Sequence, residues 1–113
     1  MVEFFLELLK QFINNNQLQL VKRVKNTEFL TKVGWTEEDV HDFLLNELTK
    51  DDFIYDSVEK DFNFPEGTVY IFKKQIRVED EVYQIYIKIK YVEKEDYMVL
   101  LSFHESEEGE GNV

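Results

Sequence analysis

The chain has 113 residues, no cysteine and a formal net charge of −11. Its length fits one domain, and a hydrophobic fraction of 43% that includes ten Phe and six Tyr is sufficient for a core. The absence of cysteine excludes disulfides, thiolate metal sites and a cysteine nucleophile. Because there is no signal-peptide pattern and no apolar run of about 20 residues, we expect a cytoplasmic protein with no membrane partner.

The acidic residues are concentrated in the middle of the chain. Residues 35–66 contain eleven acidic and two basic side chains, whereas residues 1–34 contain three acidic and five basic ones. Residues 67–104 contain six of each sign. Proteins that bind nucleic acids usually have a basic surface. The overall balance therefore argues against nucleic-acid binding unless the acidic residues lie on the side away from the RNA.

Apolar residues recur at helical spacing near the N-terminus and predict an amphipathic helix that ends at the asparagines of residues 14–16. The apolar stripe consists of Phe4, Phe5, Leu8, Leu9, Phe12 and Ile13. Residues 18–22 then alternate between apolar and polar side chains. This short stretch fits either an extended segment or a connector.

Two more helices are predicted before residue 50. Asn26 or Thr27 is expected to cap a short helix that ends before Gly34, a residue suited to the left-handed conformation. Thr36 begins the clearest helix, because it is followed by three acidic residues in a capping-box pattern. Its buried stripe is predicted to be Val40, Phe43, Leu44 and Leu48.

The chain after residue 48 is predicted to begin with turns and a loop and to continue with β-strands. Residues 49–52 begin a turn or a short helix, and residues 55–67 are predicted to be a loop. After the loop, apolar residues alternate with polar ones and predict strands over about 68–76, 82–91 and 97–104, joined by short turns. We therefore expect an α+β fold, with N-terminal helices packed on a C-terminal antiparallel meander. The domain comprises residues 1–106, and residues 107–113 form an acidic flexible tail.

The strand alternation assigns residues to the two faces of the sheet. The core face of the second strand is predicted to contain Tyr83, Ile85, Ile87, Ile89 and Tyr91. A hairpin centred on Lys94 would pair Lys88 with Leu100, Tyr86 with Ser102, and Gln84 with His104. A slip of one residue would reverse the faces. On the other face this pairing groups Gln84, Tyr86, Lys88, Ser102 and His104, next to Met98 and Leu100 and to one of Lys73 and Lys74.

This group has the chemistry that RNA cleavage without a metal requires. The reaction needs a base for the 2′-hydroxyl, an acid for the leaving 5′-oxygen and cations near the phosphate. Histidine can serve as acid or base, lysine supplies charge, and tyrosine donates a proton or stacks on a base. The same residue types are common on the solvated face of any sheet, so the group alone does not establish catalysis.

The remaining polar residues indicate no cofactor and no metal site. His41 is expected to lie on the solvated side of an acidic helix, and two histidines 63 positions apart form no zinc pattern. The carboxylates of residues 35–66 lack the spacing of a calcium-binding loop. No phosphate-binding glycine motif or nucleophile elbow is present.

Three stretches together resemble the MqsR family of type II toxin–antitoxin ribonucleases, which have a RelE-like fold. The first stretch runs from Leu9 to Arg23, and the second is LLNELTKDDF at residues 44–53. The third contains GTVYIF at 67–72, YIKIKY at 86–91 and LLSFHES at 100–106. Their order and spacing carry the resemblance over residues 5–106.

The resemblance implies a toxin-type endoribonuclease, an mRNA interferase that works without a metal or other cofactor. Its catalytic residues would be Tyr86, Lys88 and His104. We further expect Lys73, Lys74, Arg77 and Gln84 to bind RNA. The implied partners are mRNA, free or on the ribosome, and a cognate antitoxin protein, in a bacterial or phage setting.

The chain departs from the family pattern at two positions. The family has a lysine in the turn after the acidic-aromatic dipeptide, but here Asp52-Phe53 is followed by no lysine until Lys60. The family also has a glutamine on the first strand, where Tyr70 or Ile71 falls in this chain. The missing turn lysine favours an alternative, a non-catalytic acidic protein that binds a basic partner, such as an inactive toxin-fold relative or a phage accessory protein. A structural domain that packs this sheet face against another subunit is a third reading.

Overall fold

A computed structural model describes residues 2–59 and 66–106 of the chain. In chain order the elements are α1 (Val2–Asn14), β1 (Leu18–Leu20), α2 (Val24–Val33), α3 (Glu37–Asn46), a 3-10 helix (Lys50–Asp52), β2 (Phe53–Glu59), β3 (Gly67–Val78), β4 (Glu81–Val92), a second 3-10 helix (Glu93–Glu95) and β5 (Tyr97–Glu105). The predicted α+β class, with helices first and a sheet after them, is confirmed. The predicted acidic tail lies outside the described residues.

The helix boundaries follow from local chemistry. The left-handed Asn16 follows the end of α1, and Gly34 takes the left-handed conformation after α2 as predicted. The Thr36 hydroxyl accepts from the backbone N–H of Asp39, whose carboxylate accepts from the Thr36 N–H, so the predicted capping box of α3 is confirmed. The predicted cap of α2 is wrong, because the residue before the helix is Arg23.

The sheet has five strands in the order β1-β5-β4-β3-β2. Strands β2 to β5 form the antiparallel meander, and β1 pairs in parallel with β5, so the sheet is mixed rather than purely antiparallel. The segment that fitted either a strand or a connector is therefore a strand. The loop predicted from residue 55 is wrong for residues 55–59, which belong to β2.

All three helices pack on one face of the sheet, which we call the helical face. The predicted core residues of β4 lie there, with Ile85, Ile87 and Ile89 fully buried. Phe103 is surrounded by the rings of Phe29, Trp35 and Phe43 at centroid distances of 5.8 to 6.2 Å. Close-packed aromatic rings and β-branched side chains are the main source of stability in such a two-layer fold.

The opposite side of the sheet, which we call the second face, has a smaller apolar cluster. It contains Val69, Ile71, Val99 and Leu101, with Val21, Tyr55, Tyr86 and Tyr97 packed around them. Since the buried residues of α1, α2 and α3 belong mainly to the helical face, this side remains the one on which polar side chains of β3, β4 and β5 can gather.

A bulge in β5 corrects the predicted hairpin. Ile89 pairs with Leu100, whereas Lys88 pairs with Ser102, so Leu101 is an extra residue in β5. The extra residue changes the alternation, and Met98 and Leu100 lie in the helical-face core instead of on the second face. Beyond the bulge, Tyr86 pairs with His104 and not with Ser102. The grouping of Tyr86, Lys88, Ser102 and His104 on one face survives, although the predicted pairs were wrong.

Candidate functional site

Tyr86 lies at the centre of a row of three polar residues that crosses the second face. It pairs with Lys73 on β3 and with His104 on β5. Directly paired residues in an antiparallel sheet have Cβ atoms about 5 Å apart, and the rings of Tyr86 and His104 are 5.7 Å apart between centroids. The phenol of Tyr86, the amine of Lys73 and the imidazole of His104 can therefore all contact one small ligand group.

A second row runs beside the first. Lys88 follows Tyr86 by two residues and pairs with Ile71 on one side and Ser102 on the other. Ser102 is only 5% exposed, and its hydroxyl makes no hydrogen bond with any residue the structure describes. The bulge puts this hydroxyl next to the first row, where a ligand could bind to it.

Asn26 fixes the position of α2 relative to these rows. Its side-chain amide donates to the carbonyls of Val21 at 2.9 Å and Leu101 at 3.0 Å, and its side-chain oxygen accepts from the N–H of Phe103 at 2.9 Å. β1 ends opposite Leu100, so the Asn26 carboxamide takes over the pairing of β5 where the neighbouring strand stops. This buried side chain holds the first turn of α2 against the bulge.

The two rows and the start of α2 enclose a cleft of about 370 Å³. It is lined by Arg23, Val24, Lys25, Asn26, Tyr86, Lys88, Ser102 and His104. Three of these residues are cations, and none of the described lining residues is a carboxylate. The cleft thus presents three cationic side chains, a composition suited to an anionic ligand.

His104 is oriented for proton transfer. Its Nδ1 is 2.9 Å from the backbone carbonyl of Glu105, and because a carbonyl oxygen only accepts, Nδ1 must carry the hydrogen and donate it. In the neutral ring the lone pair is then on Nε2, which can accept a proton. His104 is 7% exposed and lines the cleft, so this nitrogen is shielded but reachable.

A neighbouring cleft of about 400 Å³ shares Lys25 and His104 with the first. Across it, Lys32 Nζ donates to a carboxylate oxygen of Glu105 at 3.1 Å. This hydrogen bond, with the attraction to the carboxylate, raises the pKa of Lys32. The pair lies at the surface and is worth little to stability, but it holds one side of His104's strand in place.

The predicted RNA-binding residues separate into two groups. Lys73 and Gln84 lie on the second face beside Tyr86, and Lys73 makes no ion pair with a described residue. Lys74 lies on the helical face, where its Nζ is 3.1 Å from Asp52, so its predicted place in the site is wrong. Arg77 is on the second face but four residues beyond Lys73, about 13 Å along the strand.

Several site residues were not identified from the sequence. Gln75 lies on the second face with its Oε1 3.5 Å from Gln84 Nε2, and so a glutamine does stand on this strand near the site. Arg23, Lys25 and Asn26 were also missed as site residues. The basic balance of residues 1–34 was the available signal, but only the fold shows that α2 starts beside β5.

His41 and the acidic residues add no second site. His41 was expected to be solvated, but it is half-buried and its Nε2 is enclosed with no hydrogen-bond partner among the described residues. In residues 2–59 and 66–106, no three His, Asp or Glu side chains are grouped to hold a metal ion.

Lys90 is the least expected side chain on the second face. It lies between Val69 and Val99, is fully buried, and its Nζ has no hydrogen-bond partner in the described part of the chain. Burial of a polar group without a hydrogen bond costs about 1–3 kcal/mol. Lys90→Met keeps the length of the side chain and removes the amine. We expect it to raise the free energy of unfolding by about 1–3 kcal/mol in urea titrations.

Lys73→Met is the matched control for this substitution, because it removes an amine from the same face at a partly exposed position. Its effect should stay within about 0.5 kcal/mol. A Lys90→Met protein less stable than the wild type would show that the amine contributes to the fold.

Comparisons with family models, curated proteins and solved structures give no match for this chain. None of the described helices, of which the α-helices have 10 to 13 residues, is long and apolar enough to span a bilayer.

Proposed function

We propose that the protein is a toxin-type endoribonuclease, an mRNA interferase of a toxin–antitoxin system that cleaves RNA by general acid–base catalysis without a metal. The observation that carries the proposal is the cleft itself, in which His104 and Tyr86 lie beside the cations of Lys88, Arg23 and Lys25. A concave basic patch around a shielded imidazole is what cleavage of a phosphodiester requires.

The chemistry follows from the orientation of His104. Its Nε2 takes the proton of the ribose 2′-hydroxyl, and the 2′-oxygen attacks the adjacent phosphorus. The bond from phosphorus to the 5′-oxygen breaks, and the Tyr86 hydroxyl supplies the proton that this oxygen needs. Lys88 stabilises the charge on the non-bridging oxygens. The products are a 2′,3′-cyclic phosphate and a free 5′-hydroxyl, so atoms and protons balance.

The charge distribution supports RNA binding on the second face despite the net charge of −11. The acidic helix α3 buries Val40 and Leu44 in the helical-face core, so its exposed carboxylates are on the other side of the sheet from the cleft. Lys73, which pairs with Tyr86, adds a further cation to the second face. These features favour the enzyme over the acidic binding protein.

The proposal includes two partners and a location. The substrate is mRNA, free or on the ribosome, and a cognate antitoxin neutralises the enzyme by covering the cleft. Both would be met in the cytoplasm of a bacterial cell. The sequence resemblance supports this part of the proposal, and the basic cleft supports the RNA.

Incubation of the purified protein with a single-stranded RNA oligonucleotide in excess EDTA tests the proposal. We expect cleavage into fragments that end in a 2′,3′-cyclic phosphate, and no cleavage of the matched DNA oligonucleotide, which lacks the 2′-hydroxyl. Induction in bacterial cells should arrest growth. If neither cleavage nor growth arrest is seen, the nuclease proposal is wrong. The alternative is then a non-catalytic protein that binds a basic partner through the exposed acidic side of α3.

A further inference from the structure

We propose that the uncapped start of α2, with the hydroxyl of Ser102, is a binding site for a phosphate group. The inference rests on the proposed function in one respect, namely that the bound group is the scissile phosphodiester of RNA. It adds Arg23 and the first-turn amides of α2, which neither the sequence pattern nor the family resemblance assigns to binding. The site consists of the first-turn amides of α2, Ser102 and the side chain of Arg23.

The start of α2 has unfilled hydrogen-bonding capacity. Arg23, the residue before the helix, is extended with φ −76° and ψ 152°, and its side chain offers no acceptor to the helix. The first-turn amides of Val24 and Asn26 therefore receive no hydrogen bond from a capping side chain. With the helix dipole, such amides favour a bound anion.

Ser102 is a second and independent indication of a ligand. It is 95% buried, it lines the same cleft, and no described residue bonds to its hydroxyl. The hydroxyl reaches the cleft and is not fully enclosed, so it can donate to a ligand there. A phosphate oxygen in the cleft would accept from this hydroxyl and from the α2 amides together.

The surroundings of the cleft select a phosphate over a neutral group. Arg23 makes no ion pair with a described residue, and its guanidinium can bind two phosphate oxygens at once. Lys88 adds a cation from the sheet side, and His104 lines the same space. A phosphodiester held here would have its ribose hydroxyl near the imidazole, as the cleavage reaction requires.

Arg23→Asp is the sharpest test, because it introduces a carboxylate that can take the place of the bound phosphate. An aspartate before the first turn caps the helix and occupies the position proposed for the anion. We expect a higher melting temperature together with at least about a tenfold loss of phosphate affinity. Lys22→Asp is the matched control, since it makes the same change of charge one residue earlier and outside the cleft lining.

Binding is measured by amide NMR shifts with two probes, inorganic phosphate and the deoxydinucleotide d(ApA), which cannot be cleaved for lack of a 2′-hydroxyl. We expect both probes to shift the amides of Val24, Lys25 and Asn26 in the wild type and in Lys22→Asp but not in Arg23→Asp. Shifts from inorganic phosphate alone, or shifts that map elsewhere, would overturn the proposal.

The same titration separates this inference from the proposed function. If the wild-type protein binds d(ApA) at α2 but does not cleave RNA, the proposed phosphate site is supported and the proposed nuclease function is contradicted. If the wild-type protein cleaves RNA and the Arg23→Asp variant cleaves it equally fast, the proposed nuclease function is supported and the proposed phosphate site is contradicted.

Discussion

Replacing Asn26 by alanine is expected to lower the free energy of unfolding by about 3 kcal/mol, because it removes three hydrogen bonds of roughly 1 kcal/mol each, two of them buried and one partly buried. The carbonyls of Val21 and Leu101 and the N–H of Phe103 would lose their partner together. Domains of this size are stable by about 5–15 kcal/mol, so the loss is a large fraction of the total. Urea unfolding followed by Trp35 fluorescence and circular dichroism measures it.

Asn46→Ala is the matched control. Asn46 also donates from its side-chain amide to a backbone carbonyl, that of Asp42 at 2.9 Å, but it does so on the exposed surface of α3. Its replacement should change stability by less than about 0.5 kcal/mol. Equal effects of the two substitutions would contradict the role given to Asn26, because only Asn26 is buried and completes the pairing of a strand.

The arrangement of the second face depends on this one side chain. Beyond the end of β1, two backbone groups of β5 would otherwise have no partner. They are the carbonyl of Leu101 and the N–H of Phe103, which lie on either side of Ser102. The Asn26 amide satisfies both and thereby places the start of α2 over the bulge. Fold and site share the same contacts, so Asn26→Ala should also move the amide NMR signals of Ser102 and His104.

Local patterns in the sequence were sufficient to predict most of the elements. The strict alternation of Ile85, Ile87 and Ile89 with polar residues identified β4 and its core face, because one face of that strand is buried by the helices. The capping box at Thr36 identified the start of α3 for an equally local reason. These signals depend only on residues close together in the chain.

The bulge and the edge strand could not be predicted in the same way. Residues 98–101 of β5 are all apolar and buried on both faces, so alternation says nothing about where an extra residue enters. In β2 the exposed polar side chains of Asp56 and Ser57 are also typical of a loop. An edge strand of this composition is recognised only by its pairing with β3.

Asn26 shows the same limit at the site. Beside an apolar helix pattern an asparagine indicates a cap, and the contact that decides its role is to Leu101, 75 residues away. Lys90 is comparable, since alternation assigns it to the polar side of β4 whereas neighbouring strands bury it. Long-range pairing, which a single sequence does not reveal, determined both.

His104→Ala is expected to lower the rate of RNA cleavage by about 100-fold to 10,000-fold, the usual contribution of a general base. The carbonyl of Glu105 holds the hydrogen on Nδ1, so Nε2 is the atom that accepts the 2′-hydroxyl proton. Single-turnover cleavage of one RNA oligonucleotide measures the loss. Unfolding in urea shows whether the variant remains folded, since His104 is buried.

Two further variants make this experiment decisive. His41→Ala removes the other histidine of the chain, on α3, and should cleave RNA at the wild-type rate. His104→Gln fills most of the same space and keeps a hydrogen-bonding side chain but cannot exchange a proton near neutral pH, so it should be as slow as the alanine variant. If His104→Gln cleaves as fast as the wild type, position 104 only shapes the cleft. The base would then be another titratable side chain, and Lys73 and Lys88 are the two that lie beside Tyr86 on the second face.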